Sequence, residues 1–74
     1  MKNEVKELIE KYERKAAYRE TRLASEEKKL EVLNEKYENN ECSFERLFNQ
    51  QKNVAIEYDL LNQLKEFIED LKNL

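Results

Sequence analysis

The 74-residue chain contains no glycine, no proline, no histidine and no tryptophan, and only one cysteine. Glycine and proline are the strongest local breakers of regular structure, so the usual means of stopping a helix or tightening a turn are missing. Without histidine, the commonest general base and the commonest zinc ligand are absent. With Cys42 as the only thiol, neither an internal disulfide nor a multi-cysteine metal site can form. No apolar run approaches the ~18 residues of a membrane span. The opening residues Met1-Lys2-Asn3-Glu4 do not begin the apolar stretch of a signal peptide. A lone unpaired thiol suits a reducing compartment, and a cytoplasmic location is expected. No catalytic, cofactor or metal site is predicted, and the chain reads as a non-enzyme without membrane contact.

What is present is charge in abundance: 42% of residues are Asp, Glu, Lys or Arg, with a net charge of -3. The acidic balance (pI about 5.1) argues against bulk binding to DNA or to anionic membranes. The mean hydropathy of -1.06 would permit disorder, but the apolar residues are periodic rather than scattered.

Ile9, Ala16, Leu23, Leu30 and Tyr37 stand seven apart, with Val5, Tyr12 and Leu33 at the alternating steps of three and four. This heptad pattern predicts a first helix over about 3–38, with Asn3 as N-cap and Glu4 and Glu7 complementing its dipole. A second seam of Leu47, Val54, Leu61 and Ile68 predicts a second helix over about 44–73, widened by Phe44, Tyr58, Leu64 and Leu71. Between them, Asn39-Asn40 is the best remaining way to turn a chain without glycine, because Asn tolerates the left-handed conformation. Ser43 is the expected N-cap of the second helix, with Cys42 and Leu47 at staple positions. A single unbroken helix is the other reading of the pattern; the polar break at Asn39-Asn40-Glu41 favours the turn.

The fold class expected is therefore all-α: one domain, residues 1–74, forming an antiparallel, coiled-coil-like hairpin with helices about 45–50 Å long. A turn near residue 41 sets Leu33 near Asn49, Leu23 near Asp59, and Ile9 near Asn73. Leu60, Phe67 and Leu74 form a stripe off the second seam, making that helix apolar over more of its girth than one neighbour covers. Pairing of two hairpins into a four-helix bundle would cover it. The expected self- or partner-contact residues are Leu61, Leu64, Ile68 and Leu71 on the seam, with Leu60, Phe67 and Leu74 outside it.

Four polar residues intrude on the seams. Arg19 and Glu26 occupy core-type positions of the first helix, and Gln51 and Lys65 lie near the second seam. Such residues set register, snorkel from an interface edge, or touch a ligand. Glu26 and Glu57 are the carboxylates best placed to approach one another; pairing of Glu26 with Arg or Lys is preferred to metal binding. Cys42, beside Glu41 and with no histidine to activate it, reads as a small apolar residue at a turn.

The segment Lys11 to Arg22 holds five basic and two acidic residues, against the overall acidity. Lys11, Arg14, Lys15, Tyr18 and Arg22 share a helix face. That set is a candidate anion or nucleic-acid patch. Glu66, Glu69 and Asp70 are expected opposite it, where they would neutralise it within the protein. A solvated, internally paired face is the simplest reading, ahead of a protein-binding surface and then nucleic acid.

Leu8-Ile9-Glu10-Lys11-Tyr12-Glu13, Ala55-Ile56-Glu57-Tyr58 and Phe67-Ile68-Glu69-Asp70-Leu71 resemble segments of small helical-hairpin proteins of phages and mobile elements of low-GC Gram-positive bacteria. The resemblance implies a small regulator or inhibitor of a host protein, acting in the bacterial cytoplasm or in that of the infected cell. The hairpin phosphatases of sporulation signalling carry Ser-Gln-Glu-Leu-Asp. Here only Glu57-Tyr58-Asp59-Leu60 remains, so that activity does not carry over. Rop-like RNA-binding hairpins share the expected dimeric architecture but no residue motif. The reading is a non-enzymatic protein–protein interaction module that partners itself and another protein. A nucleic-acid-binding bundle and a scaffold oligomer are the alternatives.

Overall fold

The computed structural model describes residues 2–74. Helix α1 spans Lys2–Glu38 and helix α2 spans Phe44–Lys72. Contacts between Tyr12 and Phe67 far from the turn, and between Tyr37 and Phe44 beside it, show that the helices run antiparallel. The result is a rod of 58 × 14 × 12 Å, two helices thick.

The helix ends follow local chemistry. Asn40 adopts φ 60°, the left-handed region that Asn tolerates better than most residues. Its N–H reaches the Tyr37 carbonyl (3.0 Å) and the Glu41 N–H reaches the Lys36 carbonyl (2.7 Å). This pair of bonds closes α1 as a Schellman motif, with Asn40 in the place glycine usually takes. Ser43, in extended conformation, caps α2 by accepting the Arg46 N–H on its hydroxyl at 3.2 Å. Cys42 ties the turn back to α1, its thiol donating to the Leu33 carbonyl at 3.4 Å. At the far end Asn73 is the C-cap of α2, one residue beyond its last turn. Asn3 is not an N-cap: α1 already includes Lys2, so Asn3 lies within the first turn.

The core is one seam deep. Ala16 and Leu23 of α1 meet Leu61 and Ile68 of α2, and Ile9, Tyr12, Val54 and Leu64 pack against them. Leu47 extends the buried row toward the turn. Both heptad seams therefore face one another.

Their register differs from the turn arithmetic. A turn near residue 41 would set Glu26 near Ile56, but Glu26 meets Gln50, and Arg19 meets Glu57. Ile56 is instead 57% exposed. Counting from the turn treats the crossover as a point, whereas residues 39–43 form an asymmetric path with a Schellman close and a Ser cap. The heptads decide the rest. In this register the polar seam positions of each helix meet each other, Glu26 with Gln50 and Arg19 with Glu57.

Candidate functional site

Midway along the hairpin, four polar residues replace apolar ones on the seams. Steps of three and four on α2 run through Leu47, Gln50, Val54 and Glu57, and on α1 through Arg19, Leu23 and Glu26. Glu26, Gln50 and Glu57 are each only 8% exposed. The Gln50 side-chain amide donates to the Glu26 carboxylate (2.6 Å) and to the Glu26 backbone carbonyl (2.9 Å). Lys29 reaches the other Glu26 oxygen at 3.5 Å. The Gln50 hydrogen bond, with the charges of Lys29 and Arg22, holds the Glu26 carboxyl below its ordinary pKa, against the opposing effect of burial. Glu57 takes Arg19 at 3.4 Å on one oxygen and Arg22 at 3.6 Å on the other.

These carboxylates are thus matched to cations and an amide, and among the described residues no buried side-chain polar atom lacks a partner. The layer fits a register device better than a ligand site. Gln50 is the residue that sequence reading missed. Of the two polar residues expected near the second seam, Gln51 is exposed and Lys65 sits at the rim, 3.7 Å from Glu20. Strict three-and-four counting from Leu47 would have selected Gln50.

Toward the open end lies a groove of about 820 Å³. Lys11, Tyr12, Lys15 and Tyr18 form its α1 wall, and Leu60, Leu64 and Phe67 its α2 wall, with Arg14 at the rim. Tyr12 and Phe67 meet edge to face at 4.8 Å across the floor. Lys15 lies 4.8 Å from the Tyr12 ring centre. Two sets of residues chosen separately, the cationic patch and the outer apolar stripe, therefore meet in one concavity.

The expected acids are not there. Glu69 lines the opposite groove, with Glu13, Ala17, Glu20, Lys65 and Lys72. Lys11, Arg14 and Lys15 enter no ion pair among the described residues. The internally neutralised face predicted for this patch is therefore not what forms. The cause is the rotation of α2 about its axis, which turns Leu60, Gln63 and Phe67 to this side and Glu69 to the opposite one. Arg22 is not in this groove either, because it turns to the buried Glu57.

Of the expected contact residues, Leu61 and Ile68 are already buried inside the hairpin and Leu64 and Leu71 are half-buried. Leu60 and Phe67 face the groove, and Leu74 is 86% exposed. No described helix is long and apolar enough to cross a membrane.

These features define a helical hairpin with a coiled-coil seam, a central polar layer and one cationic, apolar-floored groove. No protein-family model matches the chain, and neither a curated protein nor a solved structure is significantly similar to it.

Proposed function

We propose that this chain is a non-enzymatic protein–protein interaction module, built to pair with a second copy of itself as a four-helix bundle and then to bind another protein. One observation carries the reading. Among the described residues no side chain is completely buried; Leu61, at 4% exposed, is the nearest. Two helices cannot enclose a core, and large apolar side chains remain outside on both flanks, Tyr18 and Ile56 on one, Phe48 and Tyr58 on the other. Stability for so small a core comes from association.

The flank opposite the cationic groove suits self-pairing. It carries Glu13 and Glu20 on α1 against Lys65 and Lys72 on α2, with small Ala17 between. A two-fold interface sets one patch against itself, so it needs both signs of charge. Tyr58, and Phe48 ten residues nearer the turn, supply exposed apolar area further along α2. A small regulator or inhibitor of a host protein, the role implied by the resemblance of segments such as Leu8-Ile9-Glu10-Lys11-Tyr12-Glu13 to phage and mobile-element hairpins, is the biological setting we propose.

Sedimentation equilibrium tests the first step. A species of about twice the 9.0 kDa chain mass is expected, reverting toward the monomer in a Tyr58→Glu variant. A well-folded monomer at every concentration would remove the self-association step.

A further inference from the structure

The cations of the groove are the start of a row. Lys15, Arg22, Lys29 and Lys36 stand seven apart on α1. At 1.5 Å per residue they recur about every 10.5 Å along one flank. Two further recesses lie along the same flank toward the turn. Arg22 stands over Asn53 and Ile56 in a recess of about 200 Å³. Lys29, Val32 and Lys36 face Arg46, Asn49 and Asn53 across another of about 360 Å³. Asn53 lines both recesses, so they adjoin.

Glu26 and Glu57 are the acids among the residues that line these recesses. Glu57 and Glu26, both buried, engage Arg22 and Lys29. Lys11, Arg14, Lys15, Lys36 and Arg46 are exposed and in no ion pair among the described residues. On the other edge of α1, Glu13, Glu20 and Glu27 recur at the same spacing of seven. The helix is therefore basic along one edge and acidic along the other.

We propose that the basic flank is the docking groove for an amphipathic α-helix of another protein, with carboxylates bordering its apolar ridge. The inference rests on the interaction-module reading and names the partner's chemistry. The docked helix lies along the hairpin as a third strand of the coiled coil. Its ridge fills the hollow floored by Tyr12, Leu60, Leu64 and Phe67, and continues past Ile56 to Val32. Its acids meet Lys15, Lys36 and Arg46.

Three points select this occupant. Cations repeating every seven residues beside a two-helix groove match the repeat of a helix laid along it. A second copy in two-fold symmetry would press this basic flank against an equally basic one at every heptad, which is repulsive. Single-stranded RNA would want a run of free aromatic faces for stacking, but of the groove's aromatics Tyr12 and Phe67 are engaged with each other and Lys15 covers the Tyr12 ring, which leaves Tyr18 as the one open platform.

The probe is a labelled designed peptide of about four heptads, with Leu at the a and d positions and Glu at e and g. Its control carries Lys at e and g. Anisotropy titrations with the full chain should show binding of the Glu peptide, weakening with salt, and none of the Lys peptide. Lys15→Glu with Lys36→Glu should weaken Glu-peptide binding at least about tenfold and admit the Lys peptide, with helicity unchanged by circular dichroism. Should charge reversal disturb folding, Lys15→Gln with Lys36→Gln tests the same contacts, with an expected loss of roughly threefold or more.

Equal binding of both peptides, or a Glu peptide indifferent to these substitutions, overturns the proposal. So does failure of the Glu peptide where a labelled single-stranded RNA binds through the same lysines. Growth of the chain into larger assemblies that Lys15→Glu abolishes would seat the acidic edge of a second copy there, and also overturns it. A dimer that ignores the Glu peptide defeats this inference alone. A monomer that binds the peptide defeats only the self-pairing step.

Discussion

The Gln50 amide is held between the Glu26 carboxylate, at 2.6 Å, and the Glu26 backbone carbonyl, at 2.9 Å, so one side chain locks the two helices at a single register. Both partners are buried, and Asn53 donates to the remaining Gln50 oxygen at 3.5 Å. Removing one member strands the other. Gln50→Leu is expected to lower stability by about 1–3 kcal/mol, because a buried carboxylate loses its donor. Replacing both, as Glu26→Leu with Gln50→Leu, should recover most of that loss, since an apolar layer needs no partner. Urea midpoints of the three variants would check it; a double variant no more stable than Gln50→Leu alone would contradict the assignment.

Acid should loosen the hairpin through the same pair. The Glu26 pKa is lowered in the folded state, chiefly by Gln50. Its contribution is therefore complete above the unfolded-state value of about 4.3 and is lost as pH falls through the lower folded value. Urea midpoints near pH 7 and about pH 3 should differ more for the wild type than for Glu26→Gln. Equal differences would deny Glu26 a part in acid sensitivity.

The turn offers a conformational test. Asn40 sits at φ 60°, where a Cβ is unfavourable. Asn40→Gly should leave stability unchanged or raise it slightly, whereas Asn40→Val should lower it by about 1–2 kcal/mol. Thermal unfolding followed by circular dichroism reads the difference. A Val variant as stable as the wild type would mean that α1 runs through this position.

Leu61 is the least exposed of the core residues. Leu61→Ala should lower stability by about 2–4 kcal/mol. Leu61→Asp should abolish both helicity and association, since it would bury a carboxylate in the apolar cluster that Leu61 shares with Ala16, Leu23 and Ile68. A Leu61→Asp chain of full helicity and unchanged mass would refute that packing.

How far the sequence reaches can be judged residue by residue. Seven-fold spacing of Ile9, Ala16 and Leu23 and of Leu47, Leu61 and Ile68 is enough to name two helices and their inner faces, because side-chain direction along a helix depends only on position number. The absence of glycine leaves Asn40 as the natural left-handed residue, and Ser43 is legible as a cap from its hydroxyl alone. Local backbone chemistry decides those points, so a linear reading finds them.

Whether Glu26 meets Gln50 or Ile56, and whether Glu69 stands by Lys15 or across the molecule from it, is a different kind of question. Each depends on the relative sliding and rotation of two helices, which no single segment encodes. The fold settles it by matching polar layer to polar layer along the whole interface. That choice leaves Lys11 and Lys15 unneutralised beside Leu60 and Phe67, and so makes a groove from residues that the sequence shows only as two separate patches.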